Sequence, residues 1–157
     1  CAKVFDIKIF CAAPYFFVET PIGRDPRSRT RFKCFPGSTG VRAKPARTRA
    51  RCVGWSSIEG LPVSWVACRL DTGRTHQIRV HALSQGFPLV GDDKYGDFDF
   101  NREVSRGLLG APLKRMFLHA ARLRFTHPVT GEQLDIQAPM PEDCAALLKV
   151  LEEKGGR

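Results

Sequence analysis

The sequence has no C-x-x-C pair, although it contains six cysteines, at positions 1, 11, 34, 52, 68 and 144. That absence excludes a zinc knuckle and a thioredoxin-like redox site. The scattered spacing gives no disulfide framework, and a chain that is 43% hydrophobic can fold without one. The cysteines therefore read as free thiols of a reducing compartment, the cytoplasm or an organelle such as the mitochondrion. The four His supply no metal site: His76 and His81 are five apart, on different faces of a helix, and no H-E-x-x-H is present. No apolar run approaches the ~20 residues that span a bilayer, so no membrane partner is expected. An N-terminal Met is also missing, and "CAKVFDIKIFC" reads as a strand rather than a signal peptide. The chain is expected to begin inside a longer protein.

Acids are nearly absent from residues 22–51. Ten cations lie there (Arg24, Arg27, Arg29, Arg31, Lys33, Arg42, Lys44, Arg47, Arg49 and Arg51) against Asp25 alone. Ten against one gives +9, which is the net charge of the whole chain, so the remainder is neutral. Arg forks match phosphate oxygens, and the interleaved Phe32 and Phe35 offer faces on which unstacked bases can lie. A solvated loop would account for a short run of charge. A run this dense in Arg, broken by Pro and Gly, points to nucleic acid.

At 157 residues the chain has the length of one domain. Its pattern is α+β. Residues 5–10, 46–53 and 63–70 read as strands, the last of them rich in β-branched and aromatic residues. A turn at residues 71–73 leads into helical periodicity over 75–85, with Ile78, Ala82 and Leu83 on one side and Gly86 as its stop. "GDDKYGD" reads as a polar loop. Residues 117–125 and 134–138 flank "THPVTGEQ" as a hairpin. A last helix opens at Pro141, with Leu147, Leu148 and Leu151 on its apolar face.

The densest polar stretch is "RLDTGRTHQIRVH", residues 69–81. Arg74 stands at the expected helix start, where unpaired N–H groups add attraction for anions. Thr75 and Arg79, four apart, share a face. On a rigid helix Arg79 can hold its planar fork toward a buried carboxylate and bind it through two parallel hydrogen bonds. The plainer reading is a surface helix with solvated Arg and His.

Five segments in order resemble one family. "TGRTHQIRVH" (72–81) looks like the characteristic motif of the RluA-type pseudouridine synthases, and "GFPLVGDDKYG" (86–96) follows at the family's distance. "FLHAARLRFTHPVTGE" and "APMPED" also match, and the upstream "PIGRDPRSRTRF" and "KPARTRARCV" are similar to the family's basic segments. The resemblance implies a mixed, largely antiparallel sheet flanked by helices. It also implies isomerisation of uridine to pseudouridine in ribosomal or transfer RNA, with no metal or cofactor. The target nucleotide must leave the stack to be reached. Arg79 corresponds to the Arg that pairs with the family's nucleophilic Asp. Arg74, His76, Arg24, Arg27, Arg29 and Lys44 are the implied RNA contacts.

Two departures shape what is expected. The family's Asp motif, H-R-L-D-x-x-T-S-G, is absent. "RLDTG" imitates it, but Asp71 runs straight into the Arg79 motif and reads as a turn residue rather than the nucleophile. Residues 1–157 are therefore expected to be the C-terminal portion of one catalytic domain, with 22–51 its RNA-contacting segment. The nucleophile would come from the N-terminal part of the same protein, and this chain alone would be inactive. Second, aligning "KVFDIKIFCAAP" with the family puts Phe5 in place of the Tyr that lies under the uracil. Phe can stack but has no hydroxyl. The alternative function is a non-catalytic relative that kept its RNA surface and acts as an assembly factor or scaffold.

Overall fold

A computed structural model describes residues 4–10, 15–37, 42–58 and 60–154. Six strands form the main sheet: β1 (Val4–Phe10), β2 (Tyr15–Glu19), β6 (Arg47–Ile58), β7 (Leu61–Leu70), β8 (Leu118–Thr126) and β9 (Gln133–Gln137), in the order β2-β6-β7-β1-β8-β9. β3 (Ile22–Arg24), β4 (Phe32–Cys34) and β5 (Ala43–Lys44) form a second sheet, ordered β4-β3-β5. Every pairing among the described residues is antiparallel. The helices are α1 (Gln77–Ser84), α2 (Phe98–Ser105) and α3 (Glu142–Lys154).

β7 is buried on both faces, which is why it reads as a near-continuous apolar run. Val63 and Trp65 join a core with Cys144, Leu147 and Leu151 of α3, while Val66 and Cys68 join Ile78 and Ala82 of α1. Side chains alternate across a strand, so α1 and α3 cover opposite faces of the sheet. Leu147 and Leu151 are fully buried, and each such burial stabilises by about 1.5–3 kcal/mol. A bulge between Cys52 and Gly54 places Gly54 flat against the Trp65 ring, where an added Cβ would lie 2.0 Å from the indole.

α1 is buried from two directions. Ile78 and Ala82 face the main sheet, while Val80 packs with Ile22, Ala46 and Tyr95 beneath the small sheet. Ile78 and Ala82 are buried as the sequence predicts, but Leu83 is 43% exposed, and Gln77, Val80 and His81 are buried as well. A helix packed on two sides has no single apolar stripe for periodicity to reveal. The helix also starts at Gln77 rather than Thr75, because His76 has the left-handed φ of 56°. Its end is as expected. Gly86, at φ 80°, donates to the Leu83 carbonyl and Phe87 to that of Ala82, the paired bonds of a Schellman stop.

No periodicity in the sequence predicts the strands β2 to β5 or the helix α2. α2 carries a local signal that was available: Asp97 caps it by accepting from the Phe100 N–H at 3.0 Å. No helix among the described residues is long and apolar enough to cross a membrane.

Candidate functional site

Much of the polar stretch at 69–81 staples α1 to β6. The Gln77 amide nitrogen donates to the Arg47 carbonyl at 2.8 Å and to the Thr48 hydroxyl at 3.0 Å. Its oxygen accepts from the Thr72 hydroxyl at 2.7 Å and the Arg74 N–H at 3.0 Å. His81 is fully buried between the Thr48 hydroxyl (Nδ1, 2.8 Å) and the Thr20 carbonyl (Nε2, 3.0 Å). The carbonyl can only accept, so Nε2 carries the proton and Nδ1 accepts from Thr48. Burial depresses the His81 pKa more than the Thr20 carbonyl raises it. Asp71 sits in the turn and pairs with Arg49 at 2.9 Å.

Arg79 behaves differently. Its Nε donates to Asp92 Oδ2 at 2.8 Å and its Nη2 to Oδ1 at 2.7 Å, with a longer contact of 3.3 Å to Asp93. The resemblance implies this pairing with a carboxylate outside the chain. The structure gives it to Asp92 within the chain. Nη1 makes no hydrogen bond to another described residue, so it is the edge of the fork left to act on something else.

Asp92 is wholly buried in a turn that its own carboxylate organises, accepting the Lys94 and Tyr95 N–H groups at 2.9 Å each. Burial pushes this carboxyl up, but the Arg79 guanidinium and the two amide donors outweigh it and hold the pKa below the ordinary value. Gly91 opens the turn at φ 76°, with the Arg115 carbonyl 2.1 Å from where a Cβ would stand. The spacing "G-D-x-x-Y-G" was the available signal for this centre, and its reading as a polar loop concealed it.

Tyr95 stands on the other side of the same turn. Its hydroxyl receives the Phe32 N–H at 2.8 Å and lies 2.9 Å from His76 Nδ1. Burial first, then the Arg79 and Lys94 cations, lower the His76 pKa and favour a neutral ring. With the phenol accepting from Phe32, its own proton is assigned to Nδ1, which places the His76 proton on Nε2. His76 also meets Phe32 and Tyr95 edge to face, at 5.6 and 5.4 Å. It is thus enclosed by aromatic rings and does not line the basic cleft.

That cleft, of about 420 Å³, is lined by Arg24, Arg42, Lys44 and Arg74 together with Phe32 and Thr75. Arg74 is oriented by donating to the Pro45 carbonyl at 2.9 Å. Thr75, outside the helix, lines this cleft instead of sharing a helical face with Arg79. Arg27 and Arg29 are exposed in the turn between β3 and β4, and Arg24 lies over the Phe32 ring at 5.2 Å. The ten cations of residues 22–51 therefore do not share one surface. Arg31 bonds the Lys94 carbonyl, Arg47 pairs with Glu19, and Arg49 pairs with Asp71.

Phe5 lies on β1 opposite Leu123 of β8; its side chain is outside the described residues. Among those residues no group of three or more His, Cys, Asp or Glu could hold a metal ion. Cys34, Cys52 and Cys144 are free thiols, and Cys1 and Cys11 lie outside the described residues.

No family model matches the chain. It is 41% identical over 134 residues to the ribosomal large subunit pseudouridine synthase D of Nitrosomonas europaea, covering 85% of this chain and 36% of the relative. It is 51% identical over 86 residues to the ribosomal large subunit pseudouridine synthase C of Escherichia coli, covering 55% of this chain and 26% of the relative. The chain thus spans roughly a quarter to a third of those relatives. The solved structure of human RNA pseudouridylate synthase domain containing 1 superposes with a TM-score of 0.73 at 25% identity, over 98% of this chain and 60% of that one.

Proposed function

We propose, on the premise that this chain belongs to the RluA-type pseudouridine synthases, that the protein isomerises uridine to pseudouridine in RNA, ribosomal or transfer. The observation that carries this reading is Arg79. A guanidinium only 12% exposed is clamped through two nitrogens by a buried carboxylate, leaving Nη1 directed by a rigid frame. Aiming one N–H edge is what a site needs in order to hold a second, reacting carboxylate in place.

In this reading the glycosidic C–N bond of uridine breaks, the uracil turns, and a C–C bond joins it to the ribose. The nucleophilic carboxylate comes from an N-terminal segment of the same protein, not from Asp71, which the Arg49 pair holds in the turn. Phe5 would lie against the uracil. RNA enters along the cleft of Arg24, Arg42, Lys44 and Arg74, whose cations face no acid among the described residues of its lining. Arg27 and Arg29 extend the positive surface at its rim.

The test uses the full-length protein, with pseudouridine mapped chemically in RNA. Arg79→Lys keeps a charge but loses the fork, so both the Asp92 clamp and the Nη1 edge are disrupted. Conversion should fall a hundredfold or more, about 3 kcal/mol of transition-state stabilisation. Arg74→Lys should mainly weaken RNA binding. Normal turnover by Arg79→Lys would overturn the assignment, and a full-length protein that binds RNA without converting it would favour the scaffold reading.

A further inference from the structure

The turn at residues 91–96 grips two elements at once. On one side Asp92 holds Arg79 of α1. On the other, Tyr95 holds the basic arm formed by β3 and β4, through the Phe32 N–H at 2.8 Å. Neighbouring contacts repeat this docking. Arg31 bonds the Lys94 carbonyl, the Lys94 ammonium reaches the Thr30 carbonyl at 3.3 Å, and the Arg31 guanidinium lies 5.8 Å from the Tyr95 ring. The same ring has the Arg79 guanidinium at 5.0 Å. Tyr95 is 5% exposed, so its hydroxyl is out of water, and its two partners, one donor and one acceptor, satisfy it completely.

We propose that Tyr95 is a positioning residue whose hydroxyl latches the basic arm to the Arg79 centre, setting where the arm presents RNA. The inference rests on the reading of the protein as an RNA-modifying enzyme. Arg24 and Phe32, which line the RNA cleft, belong to the arm. Arg79, at the other end of the turn, does not. A latch between them converts RNA held by the arm into a nucleotide held at a defined distance from Arg79. Without it the arm still carries its cations but can swing relative to the centre. The phenol performs no proton transfer on substrate in this role.

Tyr95→Phe keeps the ring and removes only the oxygen, leaving the Phe32 N–H and His76 Nδ1 without partners. In the full-length enzyme, KM for RNA should rise about tenfold with kcat within about twofold. Hydrogen exchange on RNA-free protein supplies a readout that a general loss of stability would not mimic. The Phe32 amide should exchange at least ten times faster while the Val80 amide of α1 stays unchanged. Arg31→Ala, on an exposed side chain, should also speed Phe32 exchange, which keeps the latch testable if Tyr95→Phe folds poorly. An unchanged KM, or exchange at Phe32 no faster in either variant, overturns the latch while leaving the enzyme reading in place. A wild-type protein that neither binds nor converts RNA removes both.

Discussion

Asp92 and His81 are the residues whose burial matters most, for opposite chemical reasons. Asp92 is charged and buried because Arg79 and two amides surround it. Removing the carboxylate leaves a largely buried guanidinium with only the 3.3 Å contact to the exposed Asp93. Asp92→Ala should therefore destabilise by about 3 kcal/mol or more, measured by urea unfolding, and abolish conversion as well. His81 is buried neutral, with its pKa depressed below 6.5. The unfolded chain takes up the proton near pH 6.5 and the folded one only at lower pH, so this contribution to stability is whole above 6.5. It declines as pH falls through the folded value. His76, also depressed, acts with the same sign. Asp92 titrates below 3.8 and contributes fully throughout that range. Stability should thus fall between pH 7.5 and 5.5, and His81→Gln should flatten the fall even from a lower starting stability.

Two glycines with similar backbone angles separate conformation from space at the scale of the elements. Gly86, which stops α1, has φ 80° and nothing within 4 Å of a built Cβ. Gly86→Ala should cost only the left-handed penalty, about 1–2 kcal/mol. Gly91, which opens the Asp92 turn, has φ 76° and meets the Arg115 carbonyl at 2.1 Å. Gly91→Ala should cost well beyond that, and by displacing the turn it should impair Arg79 too. Thermal melting of the pair would show a small shift for the first and a large one for the second. The same contrast explains which elements could be read from the sequence. β7 is legible as a continuous apolar run and α3 by its helical period, because each packs in a simple way. α1, clasped by two sheets, has apolar residues on both sides and conceals its true face.

Across the whole molecule the positive charge is partitioned. Arg24, Arg42 and Lys44 line the cleft, whereas Arg47 and Arg49 are engaged with Glu19 and Asp71. RNA affinity should fall steeply with salt, at ~0.7 to 0.9 log units per phosphate neutralised per log unit of salt. Replacing Arg24, Arg42 and Lys44 together with Ala should flatten that slope by about two units or more. Replacing Arg47 and Arg49 should leave it nearly unchanged. Equal slopes for the two variants would mean that the cleft is not where RNA lies.

By itself the sequence carried the resemblance to a family, the α+β class, the concentration of charge in residues 22–51 and the two-point pairing of Arg79 with a buried carboxylate. Each of these is local or compositional: a motif, a period, a count. Only the tertiary structure decided what the polar residues do. Gln77 and His81 look like site residues beside Arg79 in the chain, yet their partners Thr48 and Thr20 lie about 30 and 60 residues away on the chain and make them structural. Asp92 and Tyr95 look like loop polarity, yet the fold brings Arg79 to one and Phe32 to the other. A side chain's spacing along the chain says which neighbours it can have within one element. Whether it is buried, paired or left free to act depends on what packs against that element, and no local pattern carries that information.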